Sequence, residues 1–486
     1  MNPYLTQLKS KNIHVIGVSG AEGSEVAIFL AKYRIKKVAL HDFCEKKDFQ
    51  KSFFSFHDAL SQKEKKGEFN RLRRLPYKFY FRDEYLKNIE KANVIFVPQS
   101  WFRYPFNDKL KKFEKKLSNI TKLYFNLCPA QIIAVTGTSG KSTTTRLIYE
   151  IFKKTNRHAY FTGNDRKNCQ ILNNIFEIKP EDILIMEISN RQLKFDLKKS
   201  PKIGVITNIT PNHLDDHRNF LDYVETKYNL LQYQKPTDFA ILNYDNDTTR
   251  KIGKNHKAKI FYFSIQQQLQ EGAFLVNNDL VIRKNKNEYK ICSINDLKIK
   301  GKHNIQNVLA ASLCAFVYGV NTKIIRNAVT KFSGLKSRLE PIAEIKGVKY
   351  YEDSSACNPD GVRAAVETFS STPLILIAGG ERKIVSESEF DEMARTIVNN
   401  NVKIVLLIGK KAQIIKKAIN EASLSCRKPG PIIQICKTLE EVTVRAYKSA
   451  NRGDTVLLSP GCESFDMFRD YRDRARKFRK VVLALK

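Results

Sequence analysis

The residues best suited to chemistry form a glycine-rich turn between an apolar run at 132–135 and an amphipathic pattern that continues to Phe152. The turn comprises Gly137, Thr138, Ser139, Gly140, Lys141, Ser142 and Thr143. The order strand, glycine loop, Lys-Ser, helix is typical of a phosphate-binding loop, where backbone N–H groups and a helix N-terminus attract an anion. Lys141 can reach the outer phosphates, and the hydroxyl of Ser142 or Thr143 can bind Mg²⁺. The turn therefore predicts a site for ATP and Mg²⁺.

A second glycine turn lies near the N-terminus. It follows an apolar strand at 13–16 and precedes a predicted helix and a second strand that ends before Asp42. This order is typical of the first half of a Rossmann-type domain, with phosphates at the helix N-terminus and a carboxylate after the second strand. We predict that Gly17, Ser19 and Asp42 bind a substrate. A tight turn with only a structural role fits the same residues.

Three polar groups follow strands in the middle of the chain. Glu187 lies in the predicted strand 183–189, His213 follows the strand 203–209, and Lys227 lies on the next predicted helix. Ligand sites of α/β sheets form at the carboxyl ends of strands, so Glu187 could hold Mg²⁺. His213 could bind a metal or orient charge. A structural histidine and a surface lysine remain alternatives.

Strands and helices alternate along most of the 486 residues, which predicts an α/β fold. The length suggests about three domains. We place them at 1–128, 129–335 and 336–486, with boundaries near Leu127-Cys-Pro-Ala130 and in the segment 332–342.

The net charge of +34 raises the possibility of nucleic-acid binding. The basic residues are spread along the whole chain and form no block or arm, so attraction for small anionic substrates explains them as well. We expect no nucleic-acid partner. A nucleoside triphosphatase that acts on nucleic acid remains an alternative.

The nine cysteines are isolated, without CxxC spacing, which favours neither a zinc site nor a redox pair. The N-terminus lacks the apolar core of a signal peptide, and no run approaches the ~18 apolar residues of a membrane span. We expect a cytoplasmic protein without a membrane partner.

Seven segments, in order, resemble the motifs of the Mur ligase family, the ATP-dependent amide-forming enzymes of peptidoglycan synthesis. They are GTSGKST (137–143), EISNRQL (187–193), NITPNHLDDH (208–217) with Lys227, GKHNIQNVLAA (301–311), LKSRLEPI (335–342), YYEDSSACNPDG (350–361) and LLSPGCESFDMF (457–468). The family's short loop also explains Val135, which stands where longer phosphate loops have a glycine.

The resemblance implies three domains: a Rossmann-like N-terminal domain for a nucleotide-linked sugar, a central P-loop ATPase domain and a Rossmann-like C-terminal domain for an amino acid. It also implies that Lys141, His213, Lys227 and Arg338 are catalytic. Ser142, Glu187, His213 and a carbamylated Lys227 would hold Mg²⁺.

Further roles follow from the same resemblance. The ATP ligands would include Asn304 and Asn307 at the adenine, Arg338 at a phosphate and Asp353 at the ribose. The other implied substrate-binding residues are Asn164, Ser189, Gln192, Cys357, Lys383, Ser464 and Tyr471.

The implied reaction activates a carboxylate as an acyl phosphate, which the amine of an amino acid then attacks. The C-terminal motif favours the branch that adds D-glutamate to UDP-N-acetylmuramoyl-L-alanine, and we expect a monomer. Addition of another amino acid such as L-glutamate, or chemistry like that of folylpolyglutamate synthases, stays open.

The chain departs from the family at several positions. VPQSW (97–101) replaces a Ser-Pro-Gly turn, Ser355 and Cys357 replace Lys and Thr, Ser337 replaces His, and Ala475 replaces Gly. Arg382 and Lys383 are the cations that could compensate for the missing lysine.

Overall fold

In the computed structural model, strands and helices alternate around three mostly parallel sheets, which confirms the predicted α/β fold. The structure describes residues 2–58, 60–164, 170–211, 216–254, 256–381 and 387–485. The chain forms two compact units, one with Met1–Ser293 and Gln306–Val329, the other with Ile294–Ile305 and Thr330–Lys486. The boundaries predicted at 128/129 and 335/336 stay a prediction.

The first sheet of the first unit has five parallel strands in the order β3-β2-β1-β4-β5. The strands are β1 Ile13–Ile16, β2 Val38–His41, β3 Lys78–Tyr80, β4 Val94–Phe96 and β5 Leu117–Ser118. The helices are α1 Pro3–Lys9, α2 Ala21–Lys32, α3 Phe49–Phe56, α4 Gln62–Arg73 and α5 Ile120–Leu127. β1 lies between β2 and β4, so the order reverses there and opens a crevice at the carboxyl ends of β1 and β4.

The second sheet of this unit has the order β14-β13-β12-β11-β10-β9-β6-β8-β7. Its strands are β6 Gln131–Thr136, β7 Ala159–Gly163, β8 Ile183–Glu187, β9 Ile203–Ile206, β10 Phe239–Asn243, β11 Lys259–Ser264, β12 Gly272–Val276, β13 Asp279–Lys284 and β14 Asn287–Ser293. The helices are α6 Lys141–Phe152, α7 Phe220–Tyr228, α8 Asp247–Lys254, α9 Lys302–Tyr318, which begins in residues of the second unit, and α10 Thr322–Lys331. The alternation of apolar and polar residues over 254–300 predicts a small antiparallel excursion, and β12 to β14 form it and extend the sheet.

The second unit contains the third sheet, in the order β15-β16-β20-β17-β18-β19. The strands are β15 Glu340–Ile345, β16 Val348–Glu352, β17 Leu374–Gly379, β18 Val402–Ile408, β19 Ile432–Ile435 and β20 Thr455–Leu458. The helices are α11 Pro359–Thr368, α12 Asp391–Asn399, α13 Ala412–Ser425, α14 Leu439–Ser449 and α15 Tyr471–Leu483. Apolar residues of the central strands β16, β20, β17 and β18 are mostly buried, which fixes the positions of the loops at their carboxyl ends.

Two predicted helices differ from the structure. The pattern predicts a helix over 464–482, but α15 begins only at Tyr471, because the Asp470 carboxylate accepts the N–H groups of Arg472 and Asp473 and caps the helix there. The charged segment 108–122 is predicted to form a surface helix. The structure instead has a 3₁₀ stretch, Pro105–Lys116, followed by β5 and the start of α5. None of the described helices is long and apolar enough to cross a membrane.

Candidate active site

The predicted phosphate loop connects β6 to α6, and its two glycines occupy positions where a side chain would not fit. Gly137 has φ of 153°, and a Cβ there would lie 1.9 Å from Oγ1 of Thr207. Gly140 has φ of 82°, and a Cβ there would lie 2.3 Å from Oδ1 of Asn307. Side chains would therefore both strain the backbone and clash, which explains the spacing of the glycines.

The loop after β9 anchors the phosphate loop. The N–H of Thr138 donates to the carbonyl of Asn208 at 2.9 Å, and the N–H of Ser139 donates to Asn208 Oδ1 at 2.9 Å. Thr207 Oγ1 donates to the carbonyl of Ser139 at 2.6 Å. The Asn208 side chain thus accepts a hydrogen bond from a backbone N–H of the kind that can also donate to a phosphate group.

Lys141 and Lys227 converge on one carbonyl oxygen. Each Nζ donates to the carbonyl of Gly137 at 2.9 Å, and Lys141 also donates to Thr138 at 2.9 Å. Lys227 is only 1% exposed. Burial, and then the charge of Lys141, hold the pKa of Lys227 well below its usual range. Lys227 is therefore not a surface lysine, and its burial favours the neutral form of the amine.

Tyr223 on α7 fixes the position of Lys227. Lys227 Nζ lies 4.6 Å from the centre of the Tyr223 ring, and the Tyr223 hydroxyl lies 3.1 Å from Oγ1 of Thr138. The lysine helix is thereby attached to the phosphate loop.

Glu187 ends β8, beside the strand that leads into the phosphate loop. It is paired in register with Val135 and with Gly163. Its Oε1 accepts a hydrogen bond of 3.2 Å from Asn164, whereas Oε2 is buried and has no hydrogen-bond partner among the described residues. A buried carboxylate oxygen without a donor is costly unless a cation binds it, so this residue fits a metal ligand. Asn164, predicted to bind substrate, is in contact with it.

His213 lies outside the described residues. Within the part of the chain that the structure describes, no group of three or more His, Cys, Asp and Glu side chains could hold a metal ion. A magnesium site here would therefore combine the Glu187 carboxylate with ligands of other kinds, such as the hydroxyl of Ser142 at the start of α6 or a Lys227 carbamate.

Ser189 and Gln192 belong to a network that the sequence did not reveal. The Ser189 hydroxyl donates to Oε1 of Gln99 at 2.9 Å, and Gln192 Nε2 donates to Oε1 of Glu22 at 3.1 Å. The N–H of Gln99 donates to the other oxygen of Glu22 at 2.9 Å. Glu22 and Gln99 follow β1 and β4, so the loop after β8 is tied to the crevice of the first sheet. The only sign of this network in the sequence is VPQSW (97–101), which stands where the family has a Ser-Pro-Gly turn.

His217 forms a second unpredicted link. Its Nδ1 lies 2.8 Å from Oδ2 of Asp222, and its Nε2 lies 2.9 Å from Nδ2 of Asn190. Burial lowers the pKa of His217, so Nδ1–H donates to the carboxylate and Nε2 accepts from the amide. The His217 ring also packs edge-on against Tyr223, with centroids 5.1 Å apart. The loop after β8 is thus connected to α7.

The predicted N-terminal site residues come together in the first sheet. The N–H of Ser19 donates to Oδ2 of Asp42 at 2.6 Å, and the N–H of Cys44 donates to Oδ1 at 3.1 Å. Gly17 has φ of 70°, and its N–H donates to the carbonyl of His41 at 2.8 Å. The Asp42 carboxylate therefore shapes the glycine turn, whichever substrate group it meets.

The two asparagines assigned to adenine lie on α9 but belong to different units. In the first unit, Asn307 Oδ1 accepts from Oγ1 of Thr144 at 3.1 Å, beside the phosphate loop. In the second unit, Asn304 Nδ2 donates to the carbonyl of Lys300 at 2.7 Å.

In the second unit, Asp353 follows β16, next to the loop that follows the neighbouring strand β20. Its Oδ2 accepts from Oγ of Ser459 at 3.0 Å, and its Oδ1 accepts from the N–H of Leu339 at 3.2 Å. Burial raises the pKa of Asp353 to about 7. The neighbouring Arg338 is exposed, and burial together with the Arg338 charge lowers the pKa of His303 to about 4.

Arg474 connects two loops assigned to the amino acid. It is fully buried, and its guanidinium donates to the carbonyls of Ser354 at 3.0 Å and Cys462 at 3.2 Å. Nη2 also lies 3.9 Å from Sγ of Cys357. Arg474 thereby joins the segment of Cys357 to the segment that leads into the buried Ser464. Tyr471 begins α15, one turn before Arg474, and Lys383 lies outside the described residues.

Known families match most of the chain. The model of the Mur ligase middle domain matches residues 135–315, and that of the Mur ligase, glutamate ligase domain, matches residues 337–462. The chain therefore belongs to the Mur ligase family, and the resemblance of its motifs is confirmed.

Individual relatives extend over the whole length. The UDP-N-acetylmuramoylalanine--D-glutamate ligase of Acetivibrio thermocellus is 33% identical over 484 residues, 99% of this chain and 98% of the relative. The enzyme of the same name from Caldanaerobacter subterraneus subsp. tengcongensis is 35% identical over 485 residues, 99% of this chain and 100% of the relative. Among solved structures, MurF ligase from Thermotoga maritima in complex with ADP has the same fold, with a TM-score of 0.55 at 16% identity over 83% of this chain and 92% of that one.

Proposed function

We propose that the chain joins D-glutamate to UDP-N-acetylmuramoyl-L-alanine at the expense of ATP. The two full-length relatives carry the name of this reaction. The observation that carries the chemistry is the buried Lys227 beside the phosphate loop, since a neutral amine there can become an anionic carbamate. We place the reaction in the cytoplasm, with a monomer as the active species and no nucleic acid involved.

The proposed reaction has two steps. A carboxylate oxygen of the alanyl group attacks the γ-phosphorus of ATP, and ADP leaves. The amine of D-glutamate then attacks the acyl carbonyl and loses a proton. Phosphate leaves, and it carries one oxygen atom of the former carboxylate. The protein's main contribution is to position the reactants and to offset charge.

Each part of the phosphate site has a role in the first step. Lys141, now folded back onto Gly137 and Thr138, would turn towards the β- and γ-phosphates when ATP binds. Arg338 would contact a phosphate, Asp353 the ribose, and Asn304 and Asn307 the adenine.

Magnesium would be held by Ser142, Glu187, His213 and the Lys227 carbamate. The unpartnered Glu187 oxygen supports this assignment. When bound, the ion would offset the charge of the phosphates.

The substrates would occupy the remaining site residues. The glycine turn with Gly17, Ser19 and Asp42 would contact the nucleotide-linked sugar, and Asn164, Ser189 and Gln192 would contact the end that reacts. Cys357, Lys383, Ser464 and Tyr471 would bind the amino acid, with Arg474 holding two of their loops together.

A mass-spectrometric screen tests this proposal. The chain is incubated with ATP, Mg²⁺ and UDP-N-acetylmuramoyl-L-alanine, and with D-glutamate, L-glutamate or other amino acids in separate reactions. A product heavier than the acceptor by one glutamate minus water, formed from D-glutamate alone, is expected. Product from L-glutamate instead would reassign the amino acid, and ATP turnover stimulated by DNA or RNA without any amide product would contradict the ligase function.

A further inference from the structure

A cavity of about 1180 Å³ in the first unit contains none of the residues assigned to the reaction. Its walls are the segment after β2, the end of α4, and β3 with the turn that follows it. β3 is the edge strand of the first sheet, whereas the crevice for the nucleotide-linked substrate opens between β1 and β4. The volume is ample for a small molecule, since such sites occupy roughly 300–1,000 Å³.

One wall of the cavity consists of phenylalanine rings. Phe79 and Phe81 are both half-buried, and their rings are nearly parallel, with centroids 5.9 Å apart and planes at 8°. Phe49 packs edge-on against Phe81 at 5.2 Å, and Phe69 lies 5.4 Å from Phe49. Aromatic faces left partly open on an edge strand favour a planar ring as the occupant.

Two of the three acidic residues at the cavity are paired with lysines. Glu45 forms an ion pair of 2.9 Å with Lys47, which also lines the cavity. Glu84 pairs with Lys87 on the following turn. Asp83 is the remaining carboxylate of the lining.

Three further cations line the cavity and take no part in these ion pairs. Lys46 and Arg73 have no ion pair among the described residues, and Arg82 lies 5.3 Å from the Phe43 ring. The lining as a whole has four cations and three carboxylates, so an excess of one positive charge lies beside the aromatic wall. This combination suits a ligand that joins a flat ring to an anionic group.

We propose that this cavity is a second ligand site, which binds a nucleotide-type molecule with a planar ring and a phosphate. The ring would lie against Phe79 and Phe81, and the phosphate would contact Arg73 and Lys46.

Calorimetric titration of the full-length chain with AMP and with UMP tests the proposal. A Lys141→Ala background removes nucleotide binding at the phosphate loop. Arg73→Glu and Phe81→Ser are compared with two matched controls outside the lining, Arg71→Glu on the same helix and the exposed Phe56→Ser. Circular dichroism verifies that each variant is folded.

We expect at least one nucleotide to bind, with affinity reduced tenfold or more in Arg73→Glu and Phe81→Ser and changed less than twofold in the controls. Binding of only AMP or only UMP would assign a purine or a pyrimidine ligand. No binding at millimolar nucleotide, binding that Arg73→Glu and Phe81→Ser leave unchanged (as for a nucleotide in the crevice between β1 and β4), or equal losses in Arg73→Glu and Arg71→Glu, would overturn the proposal. Ligase activity at saturating substrates, measured for each of the four substitutions in a chain that keeps Lys141, should be unchanged, which separates this result from the proposed function.

Discussion

At the scale of single residues, Lys227 differs most from what its sequence context predicts. A lysine on an amphipathic helix normally keeps its charge in water, yet this one is buried against Tyr223 and shares a carbonyl with Lys141. Two ammonium groups on one acceptor would repel each other, and burial adds a further penalty for charge. Burial therefore favours the neutral amine, the form that the proposed carbamate requires.

Substitution of Lys227 should abolish most of the activity. Lys227→Ala and Lys227→Arg remove the amine that can form a carbamate, so kcat should fall by roughly 10²-fold or more, as for loss of a transition-state charge contact. Bicarbonate added to the Ala variant should restore part of kcat, whereas the Arg variant has no space for it. Steady-state ADP release measures both effects.

The exposed Lys235 provides the control, because Lys235→Ala changes the same charge without touching the site. Full activity of Lys227→Ala would remove the carbamate from the mechanism.

Asp353 should make stability depend on pH. Its folded pKa of about 7 exceeds the value of about 3.9 for an unfolded chain, so the folded state binds more protons between these values. Stability contributed by this residue therefore falls as pH rises from about 4 to 7. The asparagine in Asp353→Asn does not titrate. As pH rises from about 4 to 7, the free energy of unfolding of this variant should therefore increase relative to that of wild type, as measured by urea denaturation.

Asp360→Asn, at the half-exposed start of α11, is the control in the same unit. Parallel pH profiles for wild type and Asp353→Asn would contradict the raised pKa.

At the scale of elements, the loops after β1, β4 and β8 are held together by Glu22, Gln99, Ser189 and Gln192. Gln99→Ala removes the acceptor of the Ser189 hydroxyl, and one hydrogen bond contributes about 1 kcal/mol. The KM for the nucleotide-linked substrate should rise about fivefold, with kcat and the KM for ATP nearly unchanged. Initial-rate kinetics with each substrate varied in turn separates these constants.

Ser100→Ala, next to Gln99 in the same loop, should leave all three constants unchanged. A purely structural role of Gln99 would instead lower the melting temperature and reduce kcat, without a selective change of KM.

Arg474 performs a comparable task in the second unit. Arg474→Ala would leave the buried carbonyls of Ser354 and Cys462 without donors, which should lower the free energy of unfolding by about 2–4 kcal/mol. The KM for the amino acid should rise as well, because the loops of Cys357 and Ser464 are no longer joined. Urea denaturation and initial rates measure the two effects.

Arg476→Ala on the same helix is a matched control, since Arg476 is mostly exposed and forms its ion pair, within the described part of the chain, with Asp473. Equal losses in the two variants would show that the internal contacts of Arg474 have no special importance.

At the scale of the whole molecule, the features that could be predicted best from the sequence are those that depend on residues close together along the chain. The phosphate loop, the strand of Glu187 and the α/β alternation follow from local patterns. The cap at Asp470 was also local, and its recognition would have placed the start of α15 correctly. The contacts Glu22–Gln99 and Ser189–Gln99 could not be predicted, because they join residues 77 and 90 positions apart. The burial of Lys227 depends likewise on packing around it, which the helical pattern does not reveal.

The predicted ATP ligands are divided between the two units. Lys141 and Asn307 belong to the first, whereas Asn304, Arg338 and Asp353 belong to the second. The predicted contacts of the nucleotide-linked substrate, Gly17, Ser19 and Asp42, lie in the first unit.

The most direct test of the account follows an oxygen atom. UDP-N-acetylmuramoyl-L-alanine labelled with ¹⁸O in its carboxylate is converted with D-glutamate and ATP, and the released phosphate is analysed by mass spectrometry. An acyl phosphate transfers one carboxylate oxygen to phosphate, so each phosphate should carry one ¹⁸O. Phosphate without ¹⁸O, formed while the amide product accumulates, would contradict activation of the carboxylate by ATP.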